Sequence, residues 1–225
     1  MTAGRQQIHY ITSNGVGNAW VANELRVLQQ RGIPFRLHAL RRADSNFFSS
    51  PDAIALDEGT IETYPIAPWS FLATLVVAPF LFGGRFFGGL WNALTGPRES
   101  FRARLKALAH FFVGAHWARK HRHDDVAHIH AQWVHSCGSV AMAAAGLLGV
   151  SWSFTGHAAD LFRERVALTD KIRSAEFLVC ISSFHRDFFL SEGARPEQLV
   201  TVYCGIDVSL FAFREEEPPE AAGHI

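Results

Sequence analysis

A net charge is absent from this 225-residue chain, in which 21 Lys and Arg balance 21 Asp and Glu. No global field therefore draws it to nucleic acid. Cysteine is scarce: Cys137, Cys180 and Cys204 are odd in number, and their spacing fits no zinc or redox motif. Reduced, partly buried thiols are expected. Long hydrophobic runs are also lacking. The cleanest apolar stretch, Trp69 to Phe82, falls short of the roughly 20 residues a membrane-spanning helix needs. The N-terminus carries Arg5 with no apolar run leading to a cleavage site, so no secretory leader is expected. There is no internal repeat.

What is present is a globular composition, 48% hydrophobic and 19% charged, enough to bury a substantial core. Ile8 to Ile11 reads as a strand, Ser13 to Asn18 as a Gly-containing turn, and Ala19 to Arg31 as a helix with Val21, Leu25 and Leu28 on one face. Phe35 to Leu40 follows as a strand, completing a βαβ opening. Residues 41–60 read as loop, and Ile61 to Tyr64 as a third strand. Between Pro65 and Gly96 the only charged residue is Arg85, and aromatics are dense. Pro79 and two Gly-Gly pairs break this stretch, which predicts two or three short helices. A basic helix follows over Arg98 to His121, within a segment where seven Lys and Arg face Glu99 alone. Strands at Val126–His130, Val150–Thr155, Phe177–Ile181 and Leu199–Tyr203 then alternate with helices, of which the first, reaching Leu148, is rich in small residues. The pattern predicts an α/β fold with a Rossmann-like, doubly wound parallel sheet. Residues 1–213 form the domain, with 65–122 as a helical, aromatic and basic insertion. Residues 214–225, with Glu215, Glu216, Glu217 and Glu220 around a Pro pair, read as a linker.

Candidate sites gather where strands end, because ligands of doubly wound sheets bind at the carboxyl ends of the strands. Gly15, Gly17 and Asn18 lie between a strand and a helix, where glycines let a backbone approach phosphate. The dinucleotide fingerprint is incomplete: Trp20 stands at its third glycine, and no acidic residue ends the second strand. This disfavours a nicotinamide-dependent oxidoreductase. Glu24 reads as solvated. His128 and His130 share a strand face, but no Cys or carboxylate at familiar zinc spacing completes a set, so no metal site is expected. His130 and Gln132 fall at the strand's end, toward the crevice. His157, after Ser153-Phe154-Thr155-Gly156, is the strongest catalytic candidate, because imidazole holds or moves a proton near neutral pH. Asp160, three residues on, would orient it or cap the next helix. The aromatic-basic region 65–122 is either an interfacial membrane surface or ordinary sheet-covering helices.

Five segments in order resemble the N-terminal, acceptor-side domain of GT-B glycosyltransferases of family 4, especially bacterial exopolysaccharide enzymes of the colanic acid and amylovoran type. These are the Gly-containing turn with Asn23-Glu24-Leu25; His130-Ala131-Gln132-Trp133, similar to His-Ala-His-Phe; Ser153 to Phe162, similar to Ser-Phe-Thr-Ala-His-Ala-x-Asp-Ile-Phe; Cys180-Ile181-Ser182 with Phe184 and Arg186; and Gly205-Ile206-Asp207 followed by Phe211. The chain departs from the pattern at Gln132, where a second His is usual, at Ala159, where a basic residue or His is common, and at Gly17-Asn18-Ala19, where Ser-Glu-Thr is common. The resemblance implies a hexosyltransferase that moves sugar with retention from a nucleotide-sugar donor to a glycan or lipid-linked acceptor in cell-surface polysaccharide synthesis. It implies no bound cofactor or metal, a cytoplasmic location at the inner membrane's cytoplasmic face, and membrane contact through 65–122. By resemblance His157 contacts donor sugar or acceptor, and Gly15, Gly17, Asn18, His130, Gln132, Asp160, Ser182, Gly205 and Asp207 line the substrate cleft. The donor would bind mainly in a C-terminal half not contained in these residues, so the chain alone is expected to be inactive. The alternative is a non-catalytic module that binds glycolipid or the membrane surface.

Overall fold

The computed structural model describes residues 7–44, 51–163 and 165–205. Asp207, Phe211 and the acidic segment 214–225 lie outside the described residues. Seven parallel strands form one sheet: β1 (Gln7–Thr12), β2 (Phe35–Ala39), β3 (Ile61–Glu62), β4 (Val126–Gln132), β5 (Ser151–Gly156), β6 (Phe177–Cys180) and β7 (Leu199–Thr201), in the order β3-β2-β1-β4-β5-β6-β7. The chain builds outward from β1 to β3, then returns to place β4 on the other side of β1. That reversal makes the carboxyl ends of β1 and β4 the topological switch point, where helices diverge and leave a crevice.

Side chains alternate across the sheet, and the two faces differ in chemistry. Ile11, Ile129, Ala131, Phe154 and Leu178 point into the main core with α5 (Phe101–His121) and α6 (Ser136–Leu148). Tyr10 and Leu37 point the other way, into a smaller core under α1 (Ala19–Gln30). On that second side β4 and β5 carry a polar ladder. His128 bonds Ser151 Oγ and Ser153 Oγ at 2.6 and 2.7 Å, and His130 bonds Ser153 Oγ and Thr155 Oγ1 at 2.8 and 3.1 Å.

Close helix packing explains the small residues predicted in α6. A Cβ at Gly114 in α5 would lie 2.6 Å from Ala143 Cβ and 2.9 Å from the Val140 carbonyl of α6. The aromatic region forms α3 (Pro68–Phe82) and α4 (Gly84–Thr95), bent by 117° at Gly83, whose φ of 52° suits glycine. Among the described residues no single helix is long and apolar enough to cross a membrane. Later in the chain come α7 (Leu168–Ser174), preceded by a short π-helical segment at Ala159–Arg163, and α8 (Ser183–Ser191).

One predicted loop is in part a helix. Within 41–60, Pro51–Glu58 forms α2. Its apolar residues do not repeat at helical spacing, so periodicity gave no signal. It is held instead by Ala53, which is buried against α1, and by Asp57, which accepts from Arg42 Nε at 2.8 Å while its carbonyl accepts from Arg42 Nη2 at 2.7 Å.

Candidate functional site

The strand ends frame a pocket of about 340 Å³ walled by Trp20 and Glu24 of α1, Gln132 and Thr155 at the ends of β4 and β5, Ile181 after β6 and Tyr203 after β7. Each wall is a residue at or just past a strand terminus, or on the helix that follows β1. A separate apolar pocket of about 450 Å³ lies between α4, α6 and α7, on the opposite side of the sheet from the polar ladder. The strand-end pocket is the one placed for chemistry.

His157 stands directly behind its wall, only 6% exposed. Its ring centroid lies 4.3 Å from that of Trp133 and 5.7 Å from that of Trp20. Its Nε2 is 3.1 Å from the Gln132 amide nitrogen. Burial, with His185 nearby as a second cation when protonated, lowers its pKa to about 4, so the ring is neutral at physiological pH. A neutral imidazole offers one donor and one acceptor nitrogen, the form required of a base or an orienting hydrogen-bond partner.

Asp160 was expected to orient the His157 ring or cap a helix. It does neither. Its carboxylate accepts from the His157 backbone N–H at 2.8 Å and from the Val134 N–H, tying the loop after β5 to the loop after β4. Burial raises its pKa to about 6, against the pull of these N–H groups and of Lys171. Lys171 of α7 is 1% exposed and donates to the carbonyls of Val134 and His135, the second at 2.8 Å. Burial lowers its pKa to about 7. Between these two anchors Trp133 takes a φ of 83°, uncommon outside glycine, which turns its indole over His157. The indole N–H groups of Trp133 and Trp20 are both buried and find no acceptor among the described residues. Unsatisfied buried donors are rare enough to require an explanation.

The other predicted residues fall into place unequally. Gln132 and Gly205 line the pocket, and the Gly205 carbonyl accepts from Asn23 Nδ2 at 3.2 Å. Both His130 ring nitrogens are engaged by Ser153 and Thr155, so this histidine is part of the sheet's polar ladder rather than a free group in the crevice. Gly15 has a φ of 60°, and a Cβ at Gly17 would sit 2.8 Å from Ala43 Cβ. Internal geometry thus accounts for both glycines. Asn18 begins α1 and donates to Asn14 Oδ1 at 3.3 Å. Ser182 caps α8, accepting from the His185 N–H at 3.2 Å.

Sequence reasoning did not single out Tyr10, Trp20 or Lys171 as site residues. Lys171 left a signal: it falls on the face of α7 otherwise formed by Leu168, Ile172 and, just beyond the helix, Ala175, at the i+3 position of an apolar stripe. Glu24 was expected to be solvated. The residue is exposed overall, yet one carboxylate oxygen accepts from buried Tyr10 Oη at 2.8 Å, and its crowded surroundings raise its pKa.

The seven-stranded parallel sheet, its switch point and its flanking helices make a Rossmann-like α/β fold, which matches that of solved GT-B glycosyltransferases. Among solved structures, the ligand-free lipopolysaccharide outer core galactosyltransferase WaaB superposes with a TM-score of 0.55 at 14% identity, over 96% of this chain and 50% of the other. HepE of Anabaena, in complex with UDP-glucose, superposes with a TM-score of 0.52 at 12% identity, over 93% of this chain and 46% of the other. At these identities the likeness is one of fold, and the chain spans about half the length of the solved structures it matches. No family model and no curated protein matches the sequence.

Proposed function

We propose that this chain is the acceptor-side half of a family 4-like hexosyltransferase, similar to the colanic acid and amylovoran enzymes, that moves a hexose with retention from a nucleotide sugar to a glycan or lipid-linked acceptor in cell-surface polysaccharide synthesis. The observation that carries the proposal is the strand-end pocket, where Trp20 in the wall and Trp133 behind it flank a neutral His157 and hold two unpaired indole donors. Aromatic faces with convergent hydrogen-bond groups suit a sugar, whose ring has an apolar face and a polar rim. His157 would orient an acceptor or donor hydroxyl, or take its proton, and the indole N–H groups would find hydroxyl acceptors when the loop after β4 adjusts. The fold neighbours supply the donor class: HepE is a UDP-glucose complex. The donor would be gripped mainly by a second half, and the chain alone would be inactive.

The acceptor side faces the cytoplasmic surface of the inner membrane. Supporting this, Trp69, Phe80, Phe87, Trp91 and Phe101 are exposed on three consecutive helices, with Phe80 at 87% and Trp69 at 77%. Helices presenting aromatics beside basic residues fit the interfacial zone of a bilayer.

The test is UDP release from UDP-hexoses by this chain joined to a donor-binding half. His157→Ala is expected to lower turnover by about tenfold or more. If no donor and acceptor pair turns over, the chain is instead a non-catalytic glycolipid-binding module.

A further inference from the structure

Tyr10 Oη lies 2.8 Å from Glu24 Oε2 and 3.0 Å from Gln132 Oε1, and the other end of the same Gln132 amide lies 3.1 Å from His157 Nε2. Four side chains from α1, β1, β4 and the loop after β5 thus form one connected path, which starts at the pocket wall, ends on the enclosed imidazole and is touched from the side by His130 at Gln132. Tyr10 has a single hydroxyl proton and cannot donate in both directions. An amide has a donor end and an acceptor end, exchanged by a half-turn of the side chain. The chain therefore has two consistent states. With Glu24 ionised, Tyr10 donates to Glu24, the Gln132 amide donates to Tyr10 Oη, and Gln132 Oε1 accepts from a proton on His157 Nε2. With Glu24 protonated, every bond reverses: Glu24 donates to Tyr10, Tyr10 donates to Gln132 Oε1, and the amide donates to a bare His157 Nε2, leaving the ring proton on Nδ1.

We propose that Glu24 and Tyr10 are positioning residues that act through Gln132 to fix which ring nitrogen of His157 carries the proton. The purpose of the device rests on the transferase reading above: a hydroxyl beside His157 meets a donor in one state and an acceptor in the other. The state changes by uptake of one proton from solvent at Glu24. His157 releases its Nε2 proton to solvent and takes one from solvent at Nδ1, so the ring is neutral in both states.

The surroundings permit this control. Tyr10 is 1% exposed and Gln132 equally so, which leaves little room for water to break the chain. The titratable and charged groups around Glu24 are Tyr10 from β1, Tyr203 and Cys204 from the segment after β7, and Arg26 on its own helix, which is 3.7 Å from Asp52. Those around His157 are His185 of α8 and Asp160, whose carboxylate is committed to backbone N–H groups. His130, 4.8 Å from the Tyr10 ring, is bound to Ser153 and Thr155; it also interacts with the Gln132 side chain, but its two ring nitrogens are already engaged and it does not compete for Tyr10 Oη. Burial of the Glu24 carboxyl raises its pKa, bringing the change of state nearer to neutral pH.

The test is nitrogen NMR of the His157 ring in the labelled chain, and it needs no substrate. Simple protonation moves both ring nitrogens toward the N–H position. An exchange of tautomers moves them in opposite directions. In the wild type, acidification through the Glu24 titration is expected to move Nε2 away from the N–H position and Nδ1 toward it. Glu24→Gln is expected to abolish this opposed movement, and Tyr10→Phe to abolish it while Glu24 still titrates, both with a native-like amide spectrum. Persistence of the opposed movement in either variant overturns the proposal, as does a wild-type ring whose nitrogens only move together. Glu24→Gln changes an exposed residue and keeps the fold in hand should Tyr10→Phe disturb it. Failure of this test leaves the transferase reading standing, and failure to find sugar transfer leaves the tautomer result standing.

Discussion

Asp160 shows how much a single buried carboxylate organises here. Its two oxygens satisfy two backbone donors from different loops, and those loops set the positions of Trp133 and His157. Asparagine is nearly isosteric but can accept at only one end, so Asp160→Asn leaves one buried N–H facing another donor. The expected loss is about 1–3 kcal/mol of unfolding free energy, measured by urea titration. Stability equal to the wild type would mean that these N–H groups have another acceptor. The pairing of His157 with Asp160 was legible in their spacing, but the nature of the contact was not. A three-residue offset places a carboxylate near a histidine without saying whether it meets the ring or the backbone. Glu24 and Tyr10 were invisible as partners because they come from a helix and a strand 14 residues apart. Only the packing of α1 across β1 brings them together, and no local pattern encodes that.

At the scale of elements, the same sequence rules worked best where burial is one-sided. α1 followed its periodicity because it presents one face to a core, whereas the strands, buried on both faces, were marked by short apolar runs between turns. α2 escaped because it is held by one buried alanine and an Arg–Asp contact rather than by a stripe. The α5–α6 contact depends on Gly114, where an added methyl would meet a backbone carbonyl and a second Cβ. Gly114→Ala gains helix propensity of roughly 1 kcal/mol, yet must push two helices apart. A net loss of about 1–3 kcal/mol is expected in thermal or urea unfolding. An unchanged midpoint would show that α5 and α6 slide without cost. The basic segment starting at Arg98 belongs to the region expected either to meet a membrane or to cover the sheet, but the Arg98 side chain is buried, bonded to Asp170 at 2.7 Å and to the Asn92 carbonyl at 2.7 Å. It ties α4 to α7 and is not available to a membrane. Electrostatic attraction should instead be sought at exposed Arg102, and apolar insertion at Phe80 and Trp91. Phe80→Ser with Trp91→Ser is expected to reduce sedimentation with anionic vesicles severalfold, and Arg102→Ser to reduce it only at low salt. Equal sedimentation of the aromatic variant and the wild type would exclude insertion by these helices.

Across the whole molecule, the switch-point topology was readable from the order of strands and helices, while the burial of its histidines was not, since histidine is at home inside and outside. Six of them, His9, His110, His116, His128, His130 and His157, have pKa values lowered to about 4, mainly by burial. In the unfolded chain each returns to about 6.5. Between these values the unfolded state binds more protons, so stability rises with pH across this window and is lost on acidification. Asp160 acts in the opposite sense, since its raised pKa lets the folded state hold a proton between about 4 and 6, and Glu24, also raised, acts with it, but these are two groups against six. Above neutrality, Lys171, lowered to about 7, continues the rise, because the unfolded lysine keeps its proton up to about 10.5. Cys137, raised to about 12, and Cys180, raised to about 11, turn the profile down once unfolded thiols ionise near pH 8.5. Urea unfolding from pH 4 to 10 is therefore expected to show a steep climb from pH 4 to 6.5 and a broad maximum between about 7 and 9. A profile flat between pH 4 and 6.5 would mean that the histidines reach solvent in the folded state, His157 included. The enclosed, neutral imidazole on which the proposed chemistry depends would then be lost with it.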